Sequence, residues 1–231
     1  MTEDNERYSR QTGLPEIGEA GQAKIRRARV LLVGVGGLGA PISLYLTGAG
    51  IGHLGIVDDD VVSVSNLHRQ VLYAEAEVGA PKALRAAQRL RALNSGVDIT
   101  PYAERLTREN AESIIGQYDV VVDGCDNYDT RYLIDDVTRR LGKPYVYGAV
   151  RGFEGQASVF NTGSAPRSYR DLYPTPPPAP ADRSLVGMTP ATVGSVMAHE
   201  VLKIVAGYGT TLAGRLWTID LLTLQSFTLD L

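Results

Sequence analysis

The sequence predicts an α/β fold with a largely parallel sheet and an antiparallel C-terminal extension. Three observations carry this. Residues 30–33 form a continuous apolar run, stopped by Gly34, Gly36, Gly37 and Gly39. That pattern reads as a strand buried on both faces, followed by a sharp turn. Apolar strand runs then alternate with helical stretches of about ten to fifteen residues, which implies right-handed crossovers in a parallel sheet. Finally, residues 215–222 and 225–231 alternate apolar and polar side chains, and pair as a hairpin at the end of the sheet.

Taken in order, residues 1–6 are polar and expected to fray. A helical stretch over 18–28 ends in Lys24, Arg26 and Arg27, cations that suit a helix C-terminus. The first strand and its glycines follow, then a helix over 40–49, so the turn meets a helix N-terminus. Free N–H groups and the helix dipole favour a phosphate there. The spacing Gly34-x-Gly36-x-x-Gly39 matches the Rossmann-like dinucleotide fingerprint. Such a turn serves tight strand–helix packing equally well, so its context decides.

Residues 51–57 read as the second strand and deliver Asp58-Asp59-Asp60. Asp58 falls roughly twenty residues past the glycines, where a ribose-binding carboxylate belongs. Asp60 is a candidate for polar support, and a solvated acidic loop is the plainer reading of both. Residues 61–79 have no clean period and contain Ser65-Asn66-Leu67-His68-Arg69-Gln70. An irregular stretch past a strand end is well placed to face a ligand.

Pro81 suits the first turn of a helix running to about residue 93, with Ala83, Leu84, Ala87 and Leu90 on one face. Lys82 lies in its first turn, where a cation opposes the dipole by about 0.3–1 kcal/mol. It is there either to meet an anion or simply as a solvated lysine. Residues 97–103 form the third strand, and Thr107 caps a helix to about residue 117. A buried strand over 120–122 ends in Asp123-Gly124-Cys125-Asp126-Asn127, beside the crevice of an open α/β sheet. A helix over 130–141 presents Leu133, Val137 and Leu141 and stops at Gly142. Strands over 145–150 and 156–161 follow. Residues 162–183 are rich in Pro, Ser, Ala and Arg and read as a loop that cannot pack as a helix. A last helix over 191–206 has Val193, Met197, Val201 and Ile204 as its core stripe. One domain of 231 residues results, with a helical arm at 1–28, a nucleotide-binding half at 29–150, an antiparallel half at 151–231 and a mobile loop at 162–189.

The net charge of −3 gives no reason to expect nucleic acid or membrane attraction. No apolar run reaches the roughly 18 residues of a transmembrane helix. The acidic N-terminus does not read as a signal peptide. Cys125 is the only cysteine, which excludes an internal disulfide and a thiolate zinc site. A cytoplasmic protein is expected.

Several units point to one site. Gly34, Gly36, Gly37 and Gly39 form a phosphate cradle, with Asp58 for ribose. Asn66, Arg69 and Lys82 are placed to meet phosphates, and Asp126 to hold magnesium, a hard cation that favours oxygen ligands. Two cations and a metal carboxylate exceed the needs of NAD and fit a nucleoside triphosphate whose pyrophosphate must leave.

The motifs Arg7-Tyr8-Ser9-Arg10-Gln11, Gly34-Val35-Gly36-Gly37-Leu38-Gly39, Val64-Ser65-Asn66-Leu67-His68-Arg69-Gln70, Gly79-Ala80-Pro81-Lys82 and Asp123-Gly124-Cys125-Asp126-Asn127 occur in that order. Glu154-Gly155-Gln156 and Ala206-Gly207-Tyr208-Gly209 follow. In this series the chain resembles the bacterial ThiF/MoeB/HesA family, relatives of the ubiquitin-activating enzymes, from Arg7 to the final hairpin. The resemblance implies the adenylation-domain fold of those enzymes. It also implies ATP-dependent adenylation of the C-terminal Gly-Gly carboxylate of a ubiquitin-like sulfur carrier, ThiS-like for thiamin thiazole or MoaD-like for molybdopterin. By motif it gives Gly37, Asn66, Arg69 and Lys82 to phosphate and Asp58 to ribose. It makes Asp126 the magnesium ligand and adds Asp60, Gln70 and Asn127 to the nucleotide set. Arg10 resembles the family's arginine that enters the partner subunit's site, implying a homodimer.

The chain also departs from the pattern. Many members carry two Cys-x-x-Cys pairs for zinc. Ser168-Tyr169-Arg170-Asp171 stands where the first is expected, and the second is absent. Residues 183–190 lack the cysteine that bonds covalently to the carrier in some members. Cys125 reads as a small buried hydrophobe rather than a nucleophile. These departures imply an enzyme without zinc that stops at the acyl-adenylate, with sulfur supplied by another protein. They lean toward ThiF and the thiazole carrier. An NAD-dependent oxidoreductase on the same fold competes, but leaves Arg69, Lys82 and Asp126 without a task. A non-catalytic adaptor leaves the whole charged set without one.

Overall fold

A computed structural model of the chain describes residues 6–178, 182 and 184–231. The expected fraying of residues 1–5 lies outside the described residues, as do 179–181 and 183 of the loop expected to be mobile. Helices α1 (Ser9–Thr12) and α2 (Gly18–Ile25) precede β1 (Arg29–Val33), α3 (Gly39–Gly48) and β2 (His53–Val57). Next come α4 (Lys82–Leu93), β3 (Asp98–Tyr102), α5 (Ala111–Ile115), β4 (Val120–Asp123) and α6 (Tyr128–Leu141). The chain then forms β5 (Tyr145–Arg151), β6 (Glu154–Phe160), α7 (Tyr169–Leu172), α8 (Met188–Ala206), β7 (Arg215–Asp220) and β8 (Gln225–Asp230).

The strands form one sheet in the order β3-β2-β1-β4-β5-β6-β7-β8. Pairs from β3 through β5 are parallel, and those from β5 to β8 are antiparallel. The predicted architecture is therefore observed. β1 is central: Val30 and Leu32 face a core shared with Ile42, Leu46, Leu90 and Met197. Leu31 and Val33 face a second core with Ile115, Ile134, Val137 and Tyr145. Full burial of each such side chain stabilises by about 1.5–3 kcal/mol, which explains the unbroken apolar run. The order reverses between β1 and β4, so a crevice opens past their C-terminal ends. Val33 pairs with both Val57 and Asp123, which sets the loops after β1, β2 and β4 level with one another. No helix among the described residues is long and apolar enough to cross a membrane.

Several local expectations need correction. In α4 the packed face is Ala83, Ala86, Ala87 and Leu90, while Leu84 is exposed. Pro81 stands one position outside the helix as its N-cap residue. The helix expected from Thr107 begins only at Ala111, because the Asn110 carboxamide oxygen accepts the Thr107 N–H at 2.7 Å and holds the approach as turns. Lys24 does not serve its own helix; its Nζ donates to the Ala206 carbonyl at 3.0 Å and caps α8. Residues 162–183 include the helical turn α7, anchored by the fully buried Tyr169.

Candidate active site

The glycine turn is built by close backbone contact. Gly34 has φ +88°, and a Cβ there would stand 2.8 Å from the carbonyl of Gly124. A Cβ on Gly39 or on Gly124 would collide with the Gly34 carbonyl. These three glycines press the loops after β1 and β4 together. Gly36 and Gly37 differ: a Cβ at Gly36 meets only the Gln70 amide at 3.5 Å, and one at Gly37 meets Pro190 at 3.4 Å and Arg69 Cδ at 3.6 Å. Neither packing nor a positive φ demands glycine there, so the bare backbone is left facing the crevice. The Gly36 carbonyl accepts the Ala40 N–H at 2.9 Å, so the turn runs directly into α3.

Asp58 braces this turn. One carboxylate oxygen accepts the Val35 N–H at 2.8 Å, and the other accepts the Asp60 N–H at 2.9 Å. Burial holds its carboxyl above the ordinary carboxylate range, against the opposing pull of those N–H groups and of Lys82. Lys82 is buried, and its Nζ lies 3.0 Å from the exposed Asp60 carboxylate. The reading of Lys82 as a solvated lysine is thereby corrected: the fold buries this cation beside the Asp60 and Asp58 carboxylates at the edge of the cradle.

Asn66, Arg69 and Gln70 come from one turn. The Asn66 carbonyl accepts the Arg69 and Gln70 N–H groups at 3.0 and 2.9 Å. Arg69 is half-buried, donates to the Ser65 carbonyl at 2.9 Å and lies against Gly37. Gln70 is only 4% exposed, yet its Oε1 has no hydrogen-bond partner among the described residues. A buried polar atom left unpaired beside a bare backbone loop carries a cost that a ligand relieves.

Past β4, Asp126 projects an exposed carboxylate with no hydrogen bond or ion pair among the described residues. The Asn127 side chain accepts the Thr130 N–H at 2.9 Å and caps α6. Cys125 is buried, and burial, then the Asp123 carboxylate, pushes its thiol well up. That suits the inert, packed thiol expected from the sequence.

The loops thus bring Gly34, Gly36, Gly37, Gly39, Asp58, Asp60, Asn66, Arg69, Gln70 and Lys82 around the crevice, and Asp126 and Asn127 follow the end of β4, which is level with that of β1. Arg10 is not among them. Its exposed helix α1 lies where the Gln11 side chain donates to the Ala49 carbonyl. That is the far end of α3, about 15 Å of helix away from the glycine turn.

Three contributors were not read from the sequence. Tyr73 is buried, and its hydroxyl donates to the Val35 carbonyl at 2.9 Å, holding the glycine turn from above. It lies in the stretch without a period, so no pattern marked it. Pro190 packs on Gly37 from the start of α8. Arg131 is buried behind Asp123; an arginine among the inward residues of α6 was its only signal.

The arrangement fits a nucleoside triphosphate. The bare Gly36–Gly37 backbone admits phosphate, Lys82 and Arg69 supply positive charge, and the Gln70 orphan lacks a partner. Magnesium keeps several waters and takes one or two carboxylates beside phosphate oxygens. Asp126 suits that role, although the described residues hold no group of three His, Cys, Asp or Glu side chains that suits a metal. Zinc does not fit: Ser168 and Asp171 cap α7, and that segment offers no thiolate.

Comparison with known proteins agrees with this chemistry. The model of the ThiF family matches residues 8–231. The chain is 49% identical over 229 residues to a sulfur carrier protein adenylyltransferase of Thermus thermophilus, covering 95% of this chain and 84% of that protein. It is 45% identical over 238 aligned positions to a probable adenylyltransferase/sulfurtransferase MoeZ of Mycobacterium tuberculosis, covering 99% of this chain and 60% of that one. It is 48% identical over 221 residues to the adenylyltransferase and sulfurtransferase MOCS3 of Sus scrofa, covering 94% and 48%. The chain therefore spans only about half to two thirds of the last two. Among solved structures, PaaA superposes with a TM-score of 0.86 at 22% identity, covering 100% of this chain and 74% of that one. E. coli MccB with ATP gives 0.84 at 20% identity, covering 98% and 72%. At those identities the superpositions establish the fold.

Proposed function

The chain belongs to the ThiF family, and from that premise we propose that it uses ATP to adenylate the C-terminal Gly-Gly carboxylate of a ubiquitin-fold sulfur carrier protein. Pyrophosphate is the second product. The observation that carries this reading is the pairing of a bare phosphate cradle with the buried Lys82 and the half-buried Arg69. A nicotinamide dinucleotide also carries a pyrophosphate, but hydride transfer releases none, so that charge exceeds what it requires.

The carrier's carboxylate is ionised at neutral pH, so the protein needs no general base. Its oxygen attacks the α-phosphorus in line; the new P–O bond forms as the bond to pyrophosphate breaks. The chain's task is positioning and charge neutralisation. The Gly36 and Gly37 backbone holds the phosphates, Asp58 orients the ribose, and Asn66 and Gln70 add polar contacts. Lys82 leaves Asp60 to meet phosphate, and Arg69 neutralises the departing pyrophosphate. When bound through Asp126, magnesium supplies further neutralisation of the phosphate oxygens.

Arg10 stands a helix length from its own cradle. In this reading it acts in the site of a second copy, within a homodimer with two composite sites. Carrier docking falls to the 151–231 half, where the β7–β8 hairpin exposes Leu222, Leu224, Phe227 and Leu229. Large exposed apolar side chains grouped on one hairpin suit a protein partner. The carrier is the ThiS-type protein of thiamin thiazole synthesis, by the thiol-poor, zinc-free likeness to ThiF. The Gly-Gly tail is common to both carriers, so the same geometry serves the molybdopterin-synthase carrier as the second reading. With Cys125 buried and no other thiol, sulfur comes from a separate donor, in the cytoplasm. Carrier-dependent ATP–pyrophosphate exchange tests the reaction. Running it with each carrier tests the choice between them.

A further inference from the structure

We propose that Arg131 is a positioning residue that sets the direction of the Asp126 carboxylate through the Cys125–Asp126 peptide. The inference rests on the reading above, in which Asp126 holds magnesium. Asp126 has no side-chain partner of its own among the described residues, so its direction depends on its backbone. That backbone is fixed from both sides. Downstream, the Asn127 side chain caps α6. Upstream, Arg131 Nη2 donates to the Cys125 carbonyl at 2.9 Å, which fixes the peptide plane leading into Asp126.

Arg131 is itself held on several sides. Its Nε donates to Asp123 at 3.1 Å, and Nη2 also reaches the Gly148 carbonyl of β5 at 3.3 Å. Its guanidinium lies 5.5 Å from the Tyr147 ring centroid. Asp123 is fully buried and accepts three further hydrogen bonds, from the Cys125 N–H, the Cys125 thiol and the Tyr145 hydroxyl, at 2.9, 2.7 and 3.0 Å. Both members of the pair thus hold further hydrogen bonds beyond the one they share, which favours keeping a buried ion pair. It ties the end of β4, the crevice loop and β5 into one unit. The planar fork of arginine spans Asp123, Cys125 and Gly148 at once; a lysine ammonium on a flexible stem does not.

Calorimetry of ATP binding, in EDTA and across a magnesium series, tests this. For Arg131→Lys, the expected result is magnesium-free ATP affinity within about twofold of wild type. The magnesium concentration giving half of the metal-dependent gain should rise at least tenfold. Asp123→Asn keeps the shape and loosens the same fork, so it should move in the same direction; it carries the test should Arg131→Lys fail to fold. A wild-type magnesium response in the folded variant, or equal loss of affinity with and without magnesium, overturns the positioning role. Asp126→Asn is the separate control. If it responds to magnesium as wild type does, the ligand assignment of Asp126 fails, independently of Arg131.

Discussion

Gly34 and Gly124 meet backbone to backbone across the switch point, so a single methyl group on Gly34 would stand 2.8 Å from the Gly124 carbonyl. Gly36 and Gly37, two and three residues on, meet nothing closer than 3.4 Å. The four motif glycines therefore divide into those the fold requires and those the ligand requires. Gly34→Ala should lower stability by about 1–3 kcal/mol through overpacking and φ strain, read as a lower urea midpoint. Gly37→Ala should keep the wild-type midpoint and lose ATP affinity. The reverse assignment of these effects would contradict the division.

Lys82 and Asp60 give the next prediction. Lys82 is buried with its ammonium 3.0 Å from the Asp60 carboxylate, so its removal takes positive charge from the cradle. Lys82→Ala should raise the barrier of the exchange reaction by about 2.7–4 kcal/mol, the range for losing one charge-stabilising donor. Arg69→Ala and Arg10→Ala should show losses of the same order. Wild-type exchange in all three would remove the site.

Asp58 makes stability depend on pH in an unusual direction. Its carboxyl is raised above 3.8, chiefly by burial, so between that value and its folded pKa the native state binds the proton more tightly than the unfolded chain. The resulting stabilisation is fully present below the unfolded pKa and is lost as pH rises through the folded one. The stability of wild type relative to Asp58→Asn should therefore fall between pH 4 and pH 7. Denaturation midpoints at the two pH values check this, and a difference that grows with pH would contradict it.

Tyr169 anchors the segment after β6 to the body of the fold. Its ring packs among Tyr132, Tyr147, Phe160 and Tyr173, and Asp135 on α6 accepts its N–H at 2.9 Å. Arg170 forms a two-pronged pair with Asp136 beside it. Tyr169→Ala should cost about 3–5 kcal/mol, as for other large aromatic truncations. The Tyr169 hydroxyl is buried without a partner among the described residues, so Tyr169→Phe should be neutral or stabilising. Elemental analysis should find no stoichiometric zinc, and a chelator should leave the unfolding midpoint unchanged.

Legibility in the sequence followed the physics of each element. The buried strands and the glycine turn announced themselves, because burial on both faces demands an unbroken apolar run and close backbone approach demands glycine. Helix ends were less legible: Thr107 has cap chemistry, but Asn110 competes for its N–H three residues on. Leu84 shares a face with Ala87 and Leu90 by approximate helical spacing, yet lies exposed at the edge of that stripe in α4. Tyr73 was missed because it bonds a carbonyl 38 residues away, and Arg131 because its bonds to Asp123 and Cys125 run from a helix back to the preceding strand and loop, at no helical spacing. Tyr169 lay in a stretch whose prolines argued for loop, and only the tertiary contact with α6 makes it an anchor. The separation of Arg10 from the cradle is likewise a property of the folded chain.

The central claim is that this protein joins AMP to the C-terminal carboxylate of a ubiquitin-fold sulfur carrier. Its most direct test is intact mass spectrometry of each candidate carrier after incubation with the protein, ATP and magnesium. The account predicts a carrier heavier by one adenylyl group, absent when the Gly-Gly terminus is deleted or Lys82→Ala is used. An unmodified carrier of either type, alongside binding of a nicotinamide dinucleotide rather than ATP, would contradict it.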